Sequence, residues 1–267
     1  MEKYLEKFRC YLIDLERSEN TIQSYTKSVE LFFRYFDELS KENLILFKKM
    51  LMESYKPKTV ALRIVSMNVY CDYLEKPECK VKSIKICNES TLENVITNQE
   101  YIVFLEGLLN DGNIRMYYMI KFLASTGCRA SELVSLKKDC LKKGESVMLT
   151  KGKYRRILIP RALIKESKAY FDTVESEYLF PNHDGEKLST RAVTGLIHRW
   201  GSKYGIRKEV LHPHSFRHFF AINFLKKSKN IALLSDILGH ESLNTTAIYL
   251  KLSAKEQKKL FNRVVQW

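Results

Sequence analysis

Glu145-Ser146-Val147-Met148-Leu149-Thr150-Lys151-Gly152-Lys153-Tyr154-Arg155-Arg156-Ile157-Leu158-Ile159-Pro160 breaks an otherwise helical pattern in the second part of this chain. Two short apolar runs, Val147–Thr150 and Ile157–Ile159, flank Lys151-Gly152-Lys153-Tyr154. That order predicts a β-hairpin with a basic tip. Around it the apolar residues recur at helical spacing, and helices are expected over about 160–173, 190–204, 214–226, 230–238 and 253–265. The fold class is therefore mainly α with one small β-hairpin.

Upstream of the hairpin the chain changes character. From Ile86 to Ile114 there is no Lys or Arg, while Glu89, Glu93, Glu100, Glu106 and Asp111 all occur. Such a composition shift marks a linker and the start of a second domain. Thr97-Asn98-Gln99-Glu100 is a capping box, in which the Thr97 and Glu100 side chains satisfy each other's free amides. It opens that domain's first helix.

Residues 1–88 form the first domain. Tyr4, Leu5, Phe8, Tyr11, Leu12 and Leu15 share one helical face. A second helix follows Ser18-Glu19-Asn20-Thr21 and carries Tyr25, Val29, Phe32, Phe33 and Phe36. A third covers about 42–54. A fourth starts at Pro57, a residue suited to a helix's first turn, and carries Val60, Ile64, Met67, Tyr70 and Tyr73. Four short helices make a compact bundle. Pro77 then ends the pattern, and 89–267 is the second domain.

The whole chain has 267 residues and a net charge of +14. This excess predicts a polyanionic partner. The first domain has 16 basic and 13 acidic residues, the second 29 and 18, so the second should dominate phosphate contacts. The longest apolar stretches, such as Leu44–Phe47 and Met116–Ile120, are far shorter than the roughly 20 residues a spanning helix needs. The N-terminus lacks the basic-then-apolar order of a secretory signal. The expectation is an intracellular, cytoplasmic protein acting on nucleic acid, with no membrane partner. Cys10, Cys71, Cys79, Cys87, Cys128 and Cys140 include no Cys-x-x-Cys pair, and read as buried, reduced thiols rather than a zinc site.

Four segments of the second domain hold chemically capable side chains. Thr126-Gly127-Cys128-Arg129-Ala130-Ser131-Glu132-Leu133 ends one helix at Gly127 and starts another at Arg129. An arginine at such a junction has a fixed backbone, which suits a phosphate clamp. The hairpin tip holds Lys151 and Lys153. His212-Pro213-His214-Ser215-Phe216-Arg217-His218 puts His214 and Arg217 three apart, on one helical face. Leu238-Gly239-His240 precedes Thr245-Thr246-Ala247-Ile248-Tyr249. Taken singly, each has a plain structural reading as a helix end, a solvated turn or a half-buried ring.

Taken together, Arg129, Lys151, His214-x-x-Arg217, His240 and Tyr249, in that order, resemble the tyrosine recombinase/integrase family. The resemblance covers nearly the whole chain. It implies a two-domain architecture, with 1–88 as a helical core-binding domain of SAM-like type and 89–267 as a mixed α/β catalytic domain. It implies a site-specific recombinase that cleaves and rejoins double-stranded DNA through a 3′-phosphotyrosyl link, without metal, ATP or other cofactor. Tyr249 would attack the phosphorus. Arg129 and Arg217 would hold the nonbridging oxygens with paired hydrogen bonds, a role their fork geometry suits. His214 would accept the proton of Tyr249, Lys151 would donate one to the leaving 5′-oxygen, and His240 would bond a nonbridging oxygen. Glu132 and His218 would support the pocket from behind. The family works as a homotetramer on paired DNA sites, in some cases with a partner or accessory recombinase, which places the expected enzyme at the bacterial nucleoid. The apolar stripe Leu260, Phe261, Val264 and Val265 would dock on a neighbouring protomer or fold back on its own domain.

Three departures from the family pattern are visible. The segment from Lys151 to Pro160 is one residue longer than the commonest spacing, which leaves Lys151 and Lys153 as alternatives for the proton donor. Leu250-Lys251 follows Tyr249 where Thr-His is frequent. The chain begins directly at the first helix of the bundle, so the expected type is a simple recombinase of Xer-like, invertase or short transposon kind. The rivals are a relaxase-type metal-dependent endonuclease, suggested by His212-Pro213-His214, a type IB topoisomerase, and a helix-turn-helix DNA-binding protein. Proline is a poor fit for the strand on which a relaxase carries its histidine pair. Arg191 and Arg199, on the helix over 190–204, are further candidates for DNA contact.

Overall fold

The computed structural model describes residues 2–85, 94–150, 153–240, 242–250 and 262, without the side chains of 2–4, 150 and 153. The chain divides into two compact units, Met1–Glu89 and Ser90–Trp267.

The first unit contains α1 (Glu2–Asp14), α2 (Glu19–Phe32), α3 (Lys41–Ser54) and α4 (Pro57–Tyr73). Local signals set the helix starts. The Ser18 hydroxyl accepts from the Thr21 amide, that of Ser40 accepts from the Asn43 amide, and Pro57 occupies the first turn of α4. Phe8, Leu12, Val29, Phe32, Phe47, Ile64 and Met67 are fully sequestered in its core. The Phe32 and Phe47 rings meet edge to face, with centroids 5.2 Å apart. Burying each such side chain contributes about 1.5–3 kcal/mol. Three expectations change here. Phe36 lies past the end of α2, which closes at Phe32. Leu15 lies past the end of α1 and is exposed. Cys10 is also exposed, unlike Cys71 and Cys79 and, in the second unit, Cys128 and Cys140; Cys87 lies outside the described residues.

The second unit contains α5 (Asn98–Asn110), α6 (Ile114–Thr126), α7 (Ala130–Leu133) and α8 (Asp139–Lys143). Strands β1 (Glu145–Thr150) and β2 (Lys153–Leu158) follow, then α9 (Arg161–Asp172) and α10 (Thr190–Lys203). The order ends with α11 (Pro213–Ser228), α12 (Ile231–Leu238) and α13 (Leu243–Ala247). The Thr97–Glu100 capping box is present and starts α5. Helices α6 and α11 pack together, around a core that includes Phe104, Phe122, Phe171, Phe180 and Phe216.

The hairpin is real but tighter than expected. Glu145 pairs with Leu158 and Thr150 pairs with Lys153, so only residues 151 and 152 connect the strands. Lys153 and Tyr154 belong to the strand rather than to the tip. A two-residue connection containing glycine is the favoured hairpin length, which accounts for the shift. In β2 Arg155 and Ile157, and just past it Ile159, are buried, while Tyr154 is exposed. No helix among the described residues is long and apolar enough to cross a membrane. The helix expected over 253–265, with its stripe Leu260, Phe261, Val264 and Val265, lies outside the described residues.

Candidate active site

Three chain turns and the middle of α11 build the site. Helix α6 ends at Gly127 in the left-handed conformation, φ +61°. A side chain there would put its Cβ 2.5 Å from Phe220 of α11, so glycine permits both the turn and the close approach. Two residues later Arg129 caps α7. The Arg129 amide donates to Glu132 Oε2 at 2.6 Å, and its Nη1 donates to Glu132 Oε1 at 2.9 Å. The guanidinium is thus aimed by a carboxylate that is almost fully buried.

Arg217, buried in α11, ties this turn to another. Its Nη1 donates to the Gly127 carbonyl and its Nη2 to the Leu238 carbonyl, each at 2.7 Å. Those carbonyls precede Arg129 and His240 closely in sequence. The side chain therefore spaces the two polar turns while leaving three of its five N–H donors for an anion. Burial, with Arg155 and Arg129 nearby, lowers its pKa to about 10, so the group stays cationic at pH 7.

His240 follows the left-handed Gly239 that ends α12. Its Nδ1 lies 2.8 Å from the Thr246 hydroxyl. Burial and then the field of Arg217 push its pKa down to about 4. A neutral ring that accepts from Thr246 at Nδ1 carries its proton on Nε2, free to donate.

Tyr249 sits in a 3₁₀ turn, Ile248–Leu250, directly after α13. Its ring packs beside a small apolar cluster of α11 and α12 that holds Ala221, Leu225, Leu234 and Leu238. Its hydroxyl lies 2.8 Å from Nδ1 of His218. Burial raises the Tyr249 pKa, and Arg217 works against that rise. Burial, followed by His214, lowers the His218 pKa to about 4, so this ring is neutral at pH 7 and accepts at Nδ1 in the tautomer that carries its proton on Nε2.

His214 adjoins this cluster, where partial burial and then the charge of Arg217 lower its pKa. It is still exposed and lines an open groove of about 640 Å³ with Ala130, Thr190, Arg191, Thr194 and His212. Its ring centroid is 6.4 Å from that of His218. The expectation gave the proton-accepting role to His214; the histidine in contact with the hydroxyl is His218. Of the two arginines singled out on α10, Arg191 lines the groove and Arg199 lies over Trp200. His212 is the cap of α11, its Nδ1 accepting from the Ser215 amide at 3.1 Å, so His212-Pro213-His214 opens a helix rather than lying on a strand. Among the described residues no group of three His, Cys, Asp or Glu could hold a metal ion. Lys151 lies outside the described residues, and of Lys153 only the backbone, at the start of β2, is described.

Sequence reasoning missed Arg155. This strand residue is buried, pairs with Glu132 and donates to the Ile237 carbonyl at 3.2 Å. The available signal was period-two alternation, which puts 155 on the same face as Ile157 and Ile159. Glu132 thus lies between two arginines. Burial alone opposes its ionisation, but the Arg129 amide and the charge of Arg155 hold its pKa below the usual carboxylate range. Arg129, Arg155 and Arg217 against one carboxylate leave a positive pocket that suits a phosphodiester.

Residues 93–256 match the sequence profile of the phage integrase family. The tyrosine recombinase XerA of Pyrococcus furiosus is 30% identical over 271 residues, covering 97% of this chain and 93% of that protein. Among solved structures, the XerH site-specific recombinase bound to palindromic difH substrate, a post-cleavage complex, superposes with a TM-score of 0.69 at 25% identity, covering 92% of this chain and 79% of that one. A lambda integrase tetramer bound to a Holliday junction gives a TM-score of 0.75 at 15% identity, covering 93% and 76%, and shares the fold.

Proposed function

The chain belongs to the phage integrase family, the tyrosine recombinases, and on that premise we propose that Tyr249 is the nucleophile with which it cuts DNA. It is a site-specific recombinase that cleaves and rejoins DNA strands through a phosphotyrosyl link. The observation that supports Tyr249 is its hydroxyl at 2.8 Å from a neutral histidine, with the charge of Arg217 opposing the burial that raises its pKa.

In this reading the Tyr249 oxygen bonds to phosphorus as the bond from phosphorus to the 5′-oxygen breaks. The tyrosine proton passes to Nδ1 of His218. The 5′-oxygen takes a proton from the hairpin lysine, Lys151 or Lys153. Arg129 and Arg217 hold the nonbridging oxygens, and His240 donates to one of them from Nε2. Preorganised donors of this kind stabilise charge that develops in the transition state. His214 and Arg191 receive the DNA phosphates along the groove that they line. The phosphotyrosyl bond keeps the energy of the phosphodiester, so religation needs no ATP. Fixed cations do the work of charge neutralisation, so the reaction needs no metal.

The partner is double-stranded DNA, bound by both the 1–88 core-binding domain and the 89–267 catalytic domain. Four copies act on paired sites, with or without a partner recombinase; the lambda integrase structure is a tetramer bound to a Holliday junction. The working compartment is the cytoplasm, at the nucleoid. Trapping a covalent protein–DNA adduct on a nicked duplex in EDTA tests this reading. An adduct that forms only with added Mg²⁺ or Mn²⁺ would replace it with the relaxase-type alternative.

A further inference from the structure

Beyond the hairpin's base, the described side chains hold it to the domain at few points. Tyr154 and Leu149, paired across the strands near the connection, are 82% and 64% exposed. Val147 is exposed as well. Facing inward at that level are Met148, which packs partly on the core, and its cross-strand partner Arg155. Arg155 is the last buried residue on β2 before the connection whose side chain is described.

The contacts of Arg155 reach two other segments. Its Nη1 pairs with Glu132 Oε1, the same oxygen that receives Arg129 Nη1. Its Nη2 donates to the Ile237 carbonyl. Its Cδ lies so close to Gly239 that a Cβ there would come within 2.6 Å. Its Nε–H is buried without a partner among the described residues. For stability alone, an apolar pair in place of Arg155 and Glu132 would serve about equally well, because a buried ion pair roughly breaks even against one. A guanidinium differs in that it must satisfy two acceptors at once, which fixes the register of its strand.

We propose that Arg155 is a positioning residue that locks the lysine-bearing hairpin onto Glu132 and onto the turn before His240. The proposal rests on the reading of a hairpin lysine as proton donor. Positions 153 and 151 lie only two and four residues from it in sequence. Displacing the strand displaces the donor, while Arg129 keeps both of its own bonds to Glu132.

The test compares two nicked duplexes, one with an ordinary scissile phosphodiester and one with sulfur in place of the bridging 5′-oxygen. A thiol, of pKa about 8.5, leaves as the thiolate and needs no donated proton. Arg155→Lys and Arg155→Gln are measured beside Lys151→Ala and Lys153→Ala, with binding to the same duplexes recorded. Both Arg155 variants are expected to bind DNA normally, to cleave the ordinary ester about 10- to 100-fold more slowly, and to cleave the sulfur ester at close to the wild-type rate. Equal slowing on both substrates, no slowing on the ordinary one, or loss of DNA binding by both variants overturns the proposal. If one lysine variant is rescued by sulfur and the Arg155 variants are not, the positioning role alone fails. If neither lysine variant is rescued, the proton-donor reading fails and the role of Arg155 falls with it.

Discussion

Nδ1 of His218 lies 2.8 Å from the hydroxyl of Tyr249, joining two residues 31 apart in sequence. The bond spans from the middle of α11 to the 3₁₀ turn that follows α13. A buried phenol is a poor nucleophile, since burial raises the pKa of Tyr249. A neutral imidazole already in place gives its proton somewhere to go as the oxygen attacks.

That arrangement sets a pH dependence. His218 titrates at about 4 and must be neutral to accept. Single-turnover cleavage is therefore expected to stay level as pH falls from about 7 to about 5, and to drop as it approaches the histidine pKa. A drop centred near the ordinary histidine value would contradict the assignment. His218→Ala should slow cleavage by about 10²-fold or more.

The same depressed pKa values bear on stability. His218 and His240 go from 6.5 in the unfolded chain to about 4 in the folded one. Between those values the unfolded state binds more protons, so stability rises with pH across that window and is level above it. Thermal unfolding should show Tm falling as pH is lowered from 6.5 toward 4, and the combined His218→Gln and His240→Gln substitutions should flatten the slope. A wild-type Tm that does not change over this range would contradict the burial of neutral rings.

Arg217 holds the Gly127 and Leu238 carbonyls with two different nitrogens. Lysine offers a single charged nitrogen and cannot bridge both while also reaching a phosphate. Arg217→Lys and Arg217→Ala are both expected to reduce cleavage by at least about 10²-fold, as for loss of one transition-state donor. A near-normal rate in a single-turnover assay would remove Arg217 from the site.

Among the described residues Glu132 is the one carboxylate that pairs with both Arg129 and Arg155. Its replacement by glutamine leaves a buried arginine uncompensated. Breaking a buried pair in this way costs about 3 kcal/mol or more, visible as a lowered denaturation midpoint. Unchanged stability in Glu132→Gln would show that the charge is not needed to hold the two guanidiniums.

Local signals were legible before the structure. Thr97 and Glu100 announce α5, Gly127 ends α6 and Arg129 starts α7, because capping and left-handed turns depend on residues a few positions apart. The hairpin's existence was legible too, but not its tight connection, which is set by cross-strand register. The links within the site were not legible, because they are long-range. Arg217 meets a carbonyl 90 residues away, and Arg155 meets Glu132 across 23 residues. His218, expected behind the pocket, touches Tyr249 through the packing of α11 on the cluster shared with α12. The exposure of Cys10 was equally hidden, since a cysteine's usual burial says nothing of which helix face it occupies.

The most direct test of Tyr249 as nucleophile is covalent trapping. Wild type and Tyr249→Phe are incubated in EDTA with nicked duplexes from DNA flanking the gene, and resolved on a denaturing gel. The wild type is expected to give a protein–DNA band, and Tyr249→Phe to give none while binding the same duplex equally well. A band from Tyr249→Phe, or none from wild type bound to a duplex that it cuts, would contradict the account.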